Sequence, residues 1–318
     1  MRRQRGIALI TAILLVALAT ILAATIGYEN AMSARRGSAT FAFDQSLEVG
    51  KAAEAIAALG LRVTRQQNHT ATYKGQQWST PFGPVDLVPG VTLEAWLDDA
   101  QGRFNLNNLV NADGSTNPDG VALFENLLTI LGLEPTWAPM MADWIDSDTV
   151  PNNPDGAEDS VYLSQTPPYR AANMFITSAS EILALPGFGR DRYLRLAPFI
   201  TALPQGTTIN LCDAGIELLN ALGNVGNTSG GNTINFSDPQ SLANSRAAGC
   251  FPTQQEFDAL FSDATAKQKA DGMVTSLSNY FTLTSIVSIG STQFALYSLL
   301  HQEGDLRVRS IQRSFTAD

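Results

Sequence analysis

Met1-Arg2-Arg3-Gln4-Arg5-Gly6 opens the chain and is followed by Ile7–Ile26, twenty residues without a charge. At ~1.5 Å of rise per residue, that run is long enough as a helix to cross a hydrocarbon core of ~30 Å. Arg2, Arg3 and Arg5 at its head keep the N-terminus on the cytoplasmic side and send everything after Ile26 outward. A cleaved secretory signal, cut near Ala23-Ala24, is the competing reading. The run is longer than the usual ~7–15 residue core of such a signal, and no helix break precedes the polar helix that follows. A single-pass anchor over Ile7–Ile26 is expected.

Working outward, the helical signal does not stop at the membrane. The first proline is Pro81, and Val49, Ala52, Ile56, Leu59 and Val63 recur at steps of three and four. One helix is expected to about Arg65, its outer half turning an apolar stripe to a sheet. A polar stretch, 66–77, leads to a turn region at Pro81-Phe82-Gly83-Pro84. Val91–Leu97 alternates as a half-buried strand does, and a turn at Asp98–Gly102 returns the chain through Arg103–Leu106 as a hairpin. Alternation resumes only at Phe281–Ile289, Thr292–Leu300 and Leu306–Ile311, joined by Gly290-Ser291 and Glu303-Gly304-Asp305. A sheet is therefore expected to be interrupted by a second unit.

That unit reads as helical. Val121–Leu131 carries a leucine-rich face and ends at Gly132, and Thr136–Ile145 carries Trp137, Met140, Met141 and Trp144. Capping boxes at Ser178–Glu181 and Thr253–Glu256 open further helices. The aromatics and methionines are most simply core. Gly223–Thr233 is a flexible polar loop rather than a phosphate cradle, having no Walker lysine. The formal charge of −10 and pI near 4.7 argue against a nucleic-acid partner. His69 and His301 are too far apart in sequence to suggest a histidine-built zinc site. Cys212 and Cys250 enclose thirty-seven residues on the exported side, where a disulfide persists.

Arg5-Gly6-Ile7-Ala8-Leu9-Ile10-Thr11 resembles the prepilin leader and methylation segment of type IV pilins and type II secretion pseudopilins. The resemblance implies cleavage after Gly6 by a prepilin peptidase and N-methylation of Ile7. The fifth mature position, glutamate in most of that family, is Thr11 here. A carboxylate buried in lipid costs a few kcal/mol unless paired, and in pilins its partner is the amino terminus of the subunit above. A subunit with nothing above it has no use for that glutamate, and its replacement is a habit of K-type minor pseudopilins. Gly102–Leu109, Asp143-Trp144-Ile145-Asp146, Gly156-Ala157-Glu158-Asp159, Tyr169–Asn173 and Thr201–Pro204 with Thr208–Asn210 are also similar to K-type segments, in the expected order.

The resemblance implies an α+β protein of pilin-like fold, a long N-terminal helix on an antiparallel sheet, interrupted by a large α-helical domain. The expected parts are a leader (1–6), a transmembrane segment (7–26), a pilin-like α/β domain (27–106 and 278–318) and a helical insertion (107–277). It further implies a structural protein of the bacterial inner membrane, with its bulk in the periplasm. There it would initiate or cap the pseudopilus with I-type and J-type minor pseudopilins, alongside the inner-membrane secretion platform. A type IV pilus-like minor pilin is the alternative. Leu185-Pro186-Gly187-Phe188-Gly189, with Arg190, Arg192 and Arg195 beyond it, also resembles a helix-hairpin-helix module of DNA-uptake proteins, although the chain's acidity opposes that. Gly-x-Ser-x-Gly, His-Glu-x-x-His and Cys-x-x-Cys are all absent from the sequence, so no enzyme is expected.

One stretch asks for a cation. Phe104–Tyr169 has no Lys or Arg and ten carboxylates, six of them between Asp143 and Asp159 around Pro151-Asn152-Asn153-Pro154. Such a loop stays wet or acquires a hard ion, and Ca2+ takes six to eight oxygen ligands at flexible geometry. It is not an EF-hand: counted from Asp146 or Asp148, the sixth-position glycine and twelfth-position glutamate are missing. Resemblance to K-type pseudopilins, which bind calcium in their helical domain, adds weight. The expected ligands are Asp146, Asp148, Glu158 and Asp159 with backbone carbonyls, and Asp155 and Asp143 stand in reserve.

Overall fold

The computed structural model describes residues 5–152, 154–225, 236–304 and 306–316. Helix α1 runs unbroken over Arg5–Gln67. Within it, the N-terminal segment is long and apolar enough to cross a membrane, and none of that window is covered by protein. Strands β1 (Phe82–Val88) and β2 (Val91–Asp99) form an antiparallel hairpin. Short β3 (Phe104–Asn105) leads to α2 (Pro118–Ile130), α3 (Trp137–Ile145), α4 (Asp159–Tyr162) and α5 (Gly189–Leu196). Then come β4 (Ile200–Thr201), β5 (Ile209–Asn210), α6 (Ile216–Gly223), α7 (Pro239–Arg246), α8 (Gln254–Asp258), α9 (Ala264–Asp271) and β6 (Val274–Thr275). The chain closes with β7 (Tyr280–Ile289), β8 (Thr292–Gln302) and β9 (Val308–Ser314). The main sheet has the order β1-β2-β7-β8-β9, so strands from the two ends of the chain pair across the helical region.

Two readings from the sequence are corrected. The hairpin partner of β2 lies before it: Phe82–Val88 is a strand, whereas the 103–106 segment pairs in parallel with β4. Gly83 at φ +92 and Pro84 disguise β1 as a turn, a disguise that an edge position permits because one side of the strand needs no donors. The buried face of α1 is also displaced. Ala53, Leu61 and Thr64 are buried, while Ile56 and Leu59 face outward at 46% and 58% exposure. Small residues face the sheet because the approach is close; a Cβ on Gly50 would meet Leu296 Cδ2 at 2.6 Å. Trp78, Leu93, Phe281, Leu283, Val287 and Leu300 complete this core, and a second core fills the helical region around Phe104, Phe124, Met141, Tyr162 and Leu218.

Glu54 sits on the buried face of α1 and ties it to the last two strands. Its carboxylate takes two bonds from Arg313, both 2.7 Å, and one from Ser298 at 2.7 Å. Burial would raise this carboxyl, but the Arg313 and Ser298 bonds and the Arg313 charge outweigh it and hold it below the usual range. Its stabilisation is therefore complete above the unfolded value of about 4.3 and is lost as pH falls below it. Arg313→Met is expected to cost about 2–3 kcal/mol at pH 7, less than a fully buried pair because the Arg313 side chain is 43% exposed. In denaturant titrations across pH 3–7, the variant should also lose less stability on acidification than the parent.

Where the chain leaves the sheet and re-enters it, a buried polar seam joins the two cores. Asp99 accepts from Ser278 Oγ, from Asn210 Nδ2 at 2.7 Å and from the Gln101 N–H at 2.8 Å. Asn210 also donates to Thr72 O, and Gln101 Oε1 accepts from the Asn279 and Tyr280 amides. Burial, reinforced by the Asp213 charge, pushes the Asp99 carboxyl up to about 7 despite these donors. Its pH dependence runs opposite to that of Glu54: its contribution is greatest below about pH 4 and is lost as pH rises toward 7.

Candidate functional site

The acidic loop springs from the end of α3. Asp143 lies in its last turn, and Asp146 caps it at ψ 171, the extended backbone that turns the chain into the loop. Glu158 is the extended residue before α4, so the loop returns its carboxylate toward α3. Carboxylate oxygens of Asp146, Asp148 and Glu158 all lie within 4.8 Å of one another. Asp146 is 1% exposed and Glu158 3%. Asp148 is exposed and accepts from the Val150 N–H at 2.7 Å.

The expected ligand Asp159 turns elsewhere. Its two oxygens accept from Arg170 Nη1 and from the Ala171 N–H, each at 3.1 Å, so it fastens the segment after α4. Asp155 is exposed at the loop surface. Asp143 braces the loop instead: its carboxylate accepts from both the backbone N–H and the Nδ2 of Asn152. Asn152 Nδ2 also reaches Thr116 Oγ1 at 2.9 Å. Gly156 is fixed by this brace, since a Cβ there would lie 2.3 Å from both Asn152 N and Asp143 Oδ2. Reasoning from charge alone missed the roles of Asn152 and Gly156, although Gly156-Ala157-Glu158-Asp159 had stood out as a segment.

Electrostatically the cluster is strained. Burial, then the charges of Asp148 and Asp143, pushes the Asp146 carboxyl up to about 7. Burial, then Asp143, Asp146, Asp148 and Asp159, does the same to Glu158. Asp146 Oδ1 and both oxygens of Glu158 lack any hydrogen-bond donor. Among the described residues nine buried side-chain polar atoms are unpartnered, and six of them belong to this region, adding Trp144 Nε1, Tyr162 Oη and Asn173 Oδ1. Buried polar groups are almost always satisfied, so this concentration fits a bound cation and its water better than it fits a packed core. Oxygen-only donors on an irregular loop suit Ca2+.

The other expected features fall as follows. Cys212 and Cys250 are joined in a disulfide with Cα atoms 4.6 Å apart, holding the start of the α6 region to the turn after α7. Of Gly223–Thr233, residues 226–233 lie outside the described residues. Gly6 and Ile7 lie in the first turns of α1, their side chains outside the described residues. Pro186-Gly187-Phe188-Gly189 does link a 3-10 turn to α5. Two of its arginines serve the fold: Arg192 pairs with Glu134 at 2.9–3.0 Å, and Arg195 donates to the Leu131 and Gly132 carbonyls that end α2, while Arg190 is exposed.

A helix with a membrane-length apolar segment, laid on an antiparallel sheet and carrying an inserted helical region, defines a pilin-like protein of enlarged type. The comparisons sharpen that class. The family model for type II secretion system (T2SS) protein K matches residues 102–205. Type II secretion system protein K of Pseudomonas aeruginosa is 30% identical, covering 98% of this chain and 93% of that protein. Its counterpart from Pectobacterium carotovorum is 29% identical over 98% and 97%. The chain belongs to the type II secretion system protein K family. A chain of the GspK-GspI-GspJ complex from enterotoxigenic Escherichia coli shares the fold, with a TM-score of 0.76 at 24% identity, covering 89% of this chain and 100% of that one.

Proposed function

We propose that this chain is the minor pseudopilin at the tip of a type II secretion pseudopilus, where it initiates or caps assembly for export of folded proteins across the outer membrane. The observation that carries the tip position is Thr11. Its hydroxyl donates to Ala8 O at 3.0 Å within its own helix, so the position is satisfied without a partner above. A glutamate there would need a cation supplied by the next subunit. The bulk of the inserted helical region, on the side of the chain away from the membrane anchor, supports the same placement.

The remaining features fit this role. A prepilin peptidase would cut between Gly6 and Ile7 at the inner membrane, and the portion after the anchor would occupy the periplasm, where the Cys212–Cys250 disulfide is stable. The outward apolar residues of α1, Tyr28 and Phe41 at 68% and 70% exposure, would pack on helices of I-type and J-type minor pseudopilins delivered by the same inner-membrane platform. The relative that shares the fold comes from a complex with GspI and GspJ, which supports that choice of partners. Asp146, Asp148 and Glu158, with backbone carbonyls, would hold a calcium ion that neutralises their mutual repulsion and stiffens the loop. The role asks for no catalysis. Affinity capture of the full chain from detergent-solubilised membranes is expected to retain the I-type and J-type subunits; recovery of neither would overturn this reading.

A further inference from the structure

The segment after α4 carries a polar atom that the fold leaves unused. Asn173 holds a left-handed backbone at φ 46, a conformation uncommon for L-residues and reached by Asn more readily than by most. Two bonds hold the residue in place: the Asn173 N–H donates to Trp144 O at 3.0 Å, and Nδ2 donates to Asp148 O at 2.8 Å. Asn173 is thereby stapled to the backbone of a residue in the carboxylate cluster. Its Oδ1 is buried and accepts from nothing. In the cluster that Asp148 shares, Asp146 Oδ1 and both oxygens of Glu158 are likewise buried without a donor. Carboxylate and carboxamide oxygens are all acceptors and cannot satisfy one another; a cation or a donor from solvent completes them.

We infer that the carboxamide oxygen of Asn173 is a ligand of the same divalent-cation site, and that the site thereby joins the 171–176 segment to the 146–158 loop. Carboxamide oxygens are ordinary Ca2+ ligands, and a neutral one adds coordination without adding repulsion to three carboxylates. The inference rests on the cation reading proposed above. It also gives the Tyr169–Asn173 segment a role: Asp159 fastens its start through Arg170 and Ala171, and Asn173 fastens its end.

The test is a Tb3+ titration of the full chain in detergent, read by emission sensitised through Trp144 and Tyr162, whose rings lie 5.1 Å apart at the cluster, with Ca2+ as competitor. Asn173→Ala and Asn173→Gly, the latter free to keep the positive φ, are expected to weaken Tb3+ binding about tenfold or more. Asn173→Asp, which keeps the oxygen but loses the donor to Asp148 O, should bind as tightly as the parent or more tightly. Ca2+ should slow hydrogen exchange of the 171–176 amides in the parent and in Asn173→Asp, but not in Asn173→Gly. Parental affinity in Asn173→Gly would overturn the inference, and so would an Asn173→Asp variant as weak as Asn173→Gly, which would leave the side chain a mere brace. Absence of competable Tb3+ binding in the parent itself would instead remove the cation reading and this inference with it.

Discussion

Chelating divalent cations from the full chain is expected to lower its melting temperature by about 5–10 °C, and millimolar Ca2+ is expected to restore it. At a free-ion concentration of about 100 times Kd, a site confined to the folded state contributes about 2.7 kcal/mol. A unit of this size shifts by about 2–4 °C per kcal/mol. The structural basis is the buried pair Asp146 and Glu158 beside Asp148, with Asp146 Oδ1 and both oxygens of Glu158 left without donors. Glu158→Gln should separate this account from a merely solvated loop. It removes one repelling charge, so the cation-free protein should melt higher than the parent while its response to Ca2+ largely disappears. Equal melting temperatures with chelator and with Ca2+ in the parent would show that the loop holds no stabilising ion.

Replacing Gly6 has the largest expected effect, because it acts on entry to the assembly rather than on an equilibrium. With Gly6→Leu, the leader Met1–Gly6 is expected to remain attached, Ile7 to stay unmethylated and secretion to fail. Intact-protein mass spectrometry of membranes reads this directly: the parent should begin at N-methylated Ile7 and the variant at its initiator end. A parent beginning near Thr25 would establish a secretory signal and remove the anchor from the account.

Much of this architecture was legible because its signals are local. An uncharged run under three arginines and two-residue alternation in the closing strands need no tertiary knowledge, and β7, β8 and β9 lie within a few residues of their expected places. Where partners are remote, the sequence misled. Phe82–Val88 carries glycine and proline that read as a turn, yet an edge position lets it pair on one side only. Val49, Ile56 and Leu59 made a persuasive apolar stripe; Val49 does pack on the sheet core, but Ile56 and Leu59 face outward, and Gly50, Ala53 and Ala57 take the buried face close to the sheet. The candidate site was half visible. Charge density located the loop, but which carboxylates converge is decided by the turn at Asp146 and by Asn152 holding Asp143, both invisible to composition. Asp159 shows the limit: as acidic as its neighbours in sequence, it faces Arg170 in space.

Tip placement is the central claim, and labelling filaments tests it most directly. Pseudopili assembled with a small epitope at the C-terminus of this chain should carry label at one end only, one site per filament, in negative-stain electron microscopy. Label distributed along the shaft would contradict the account, because a shaft subunit has a neighbour above it and Thr11 would then leave that neighbour's amino terminus unpaired in lipid.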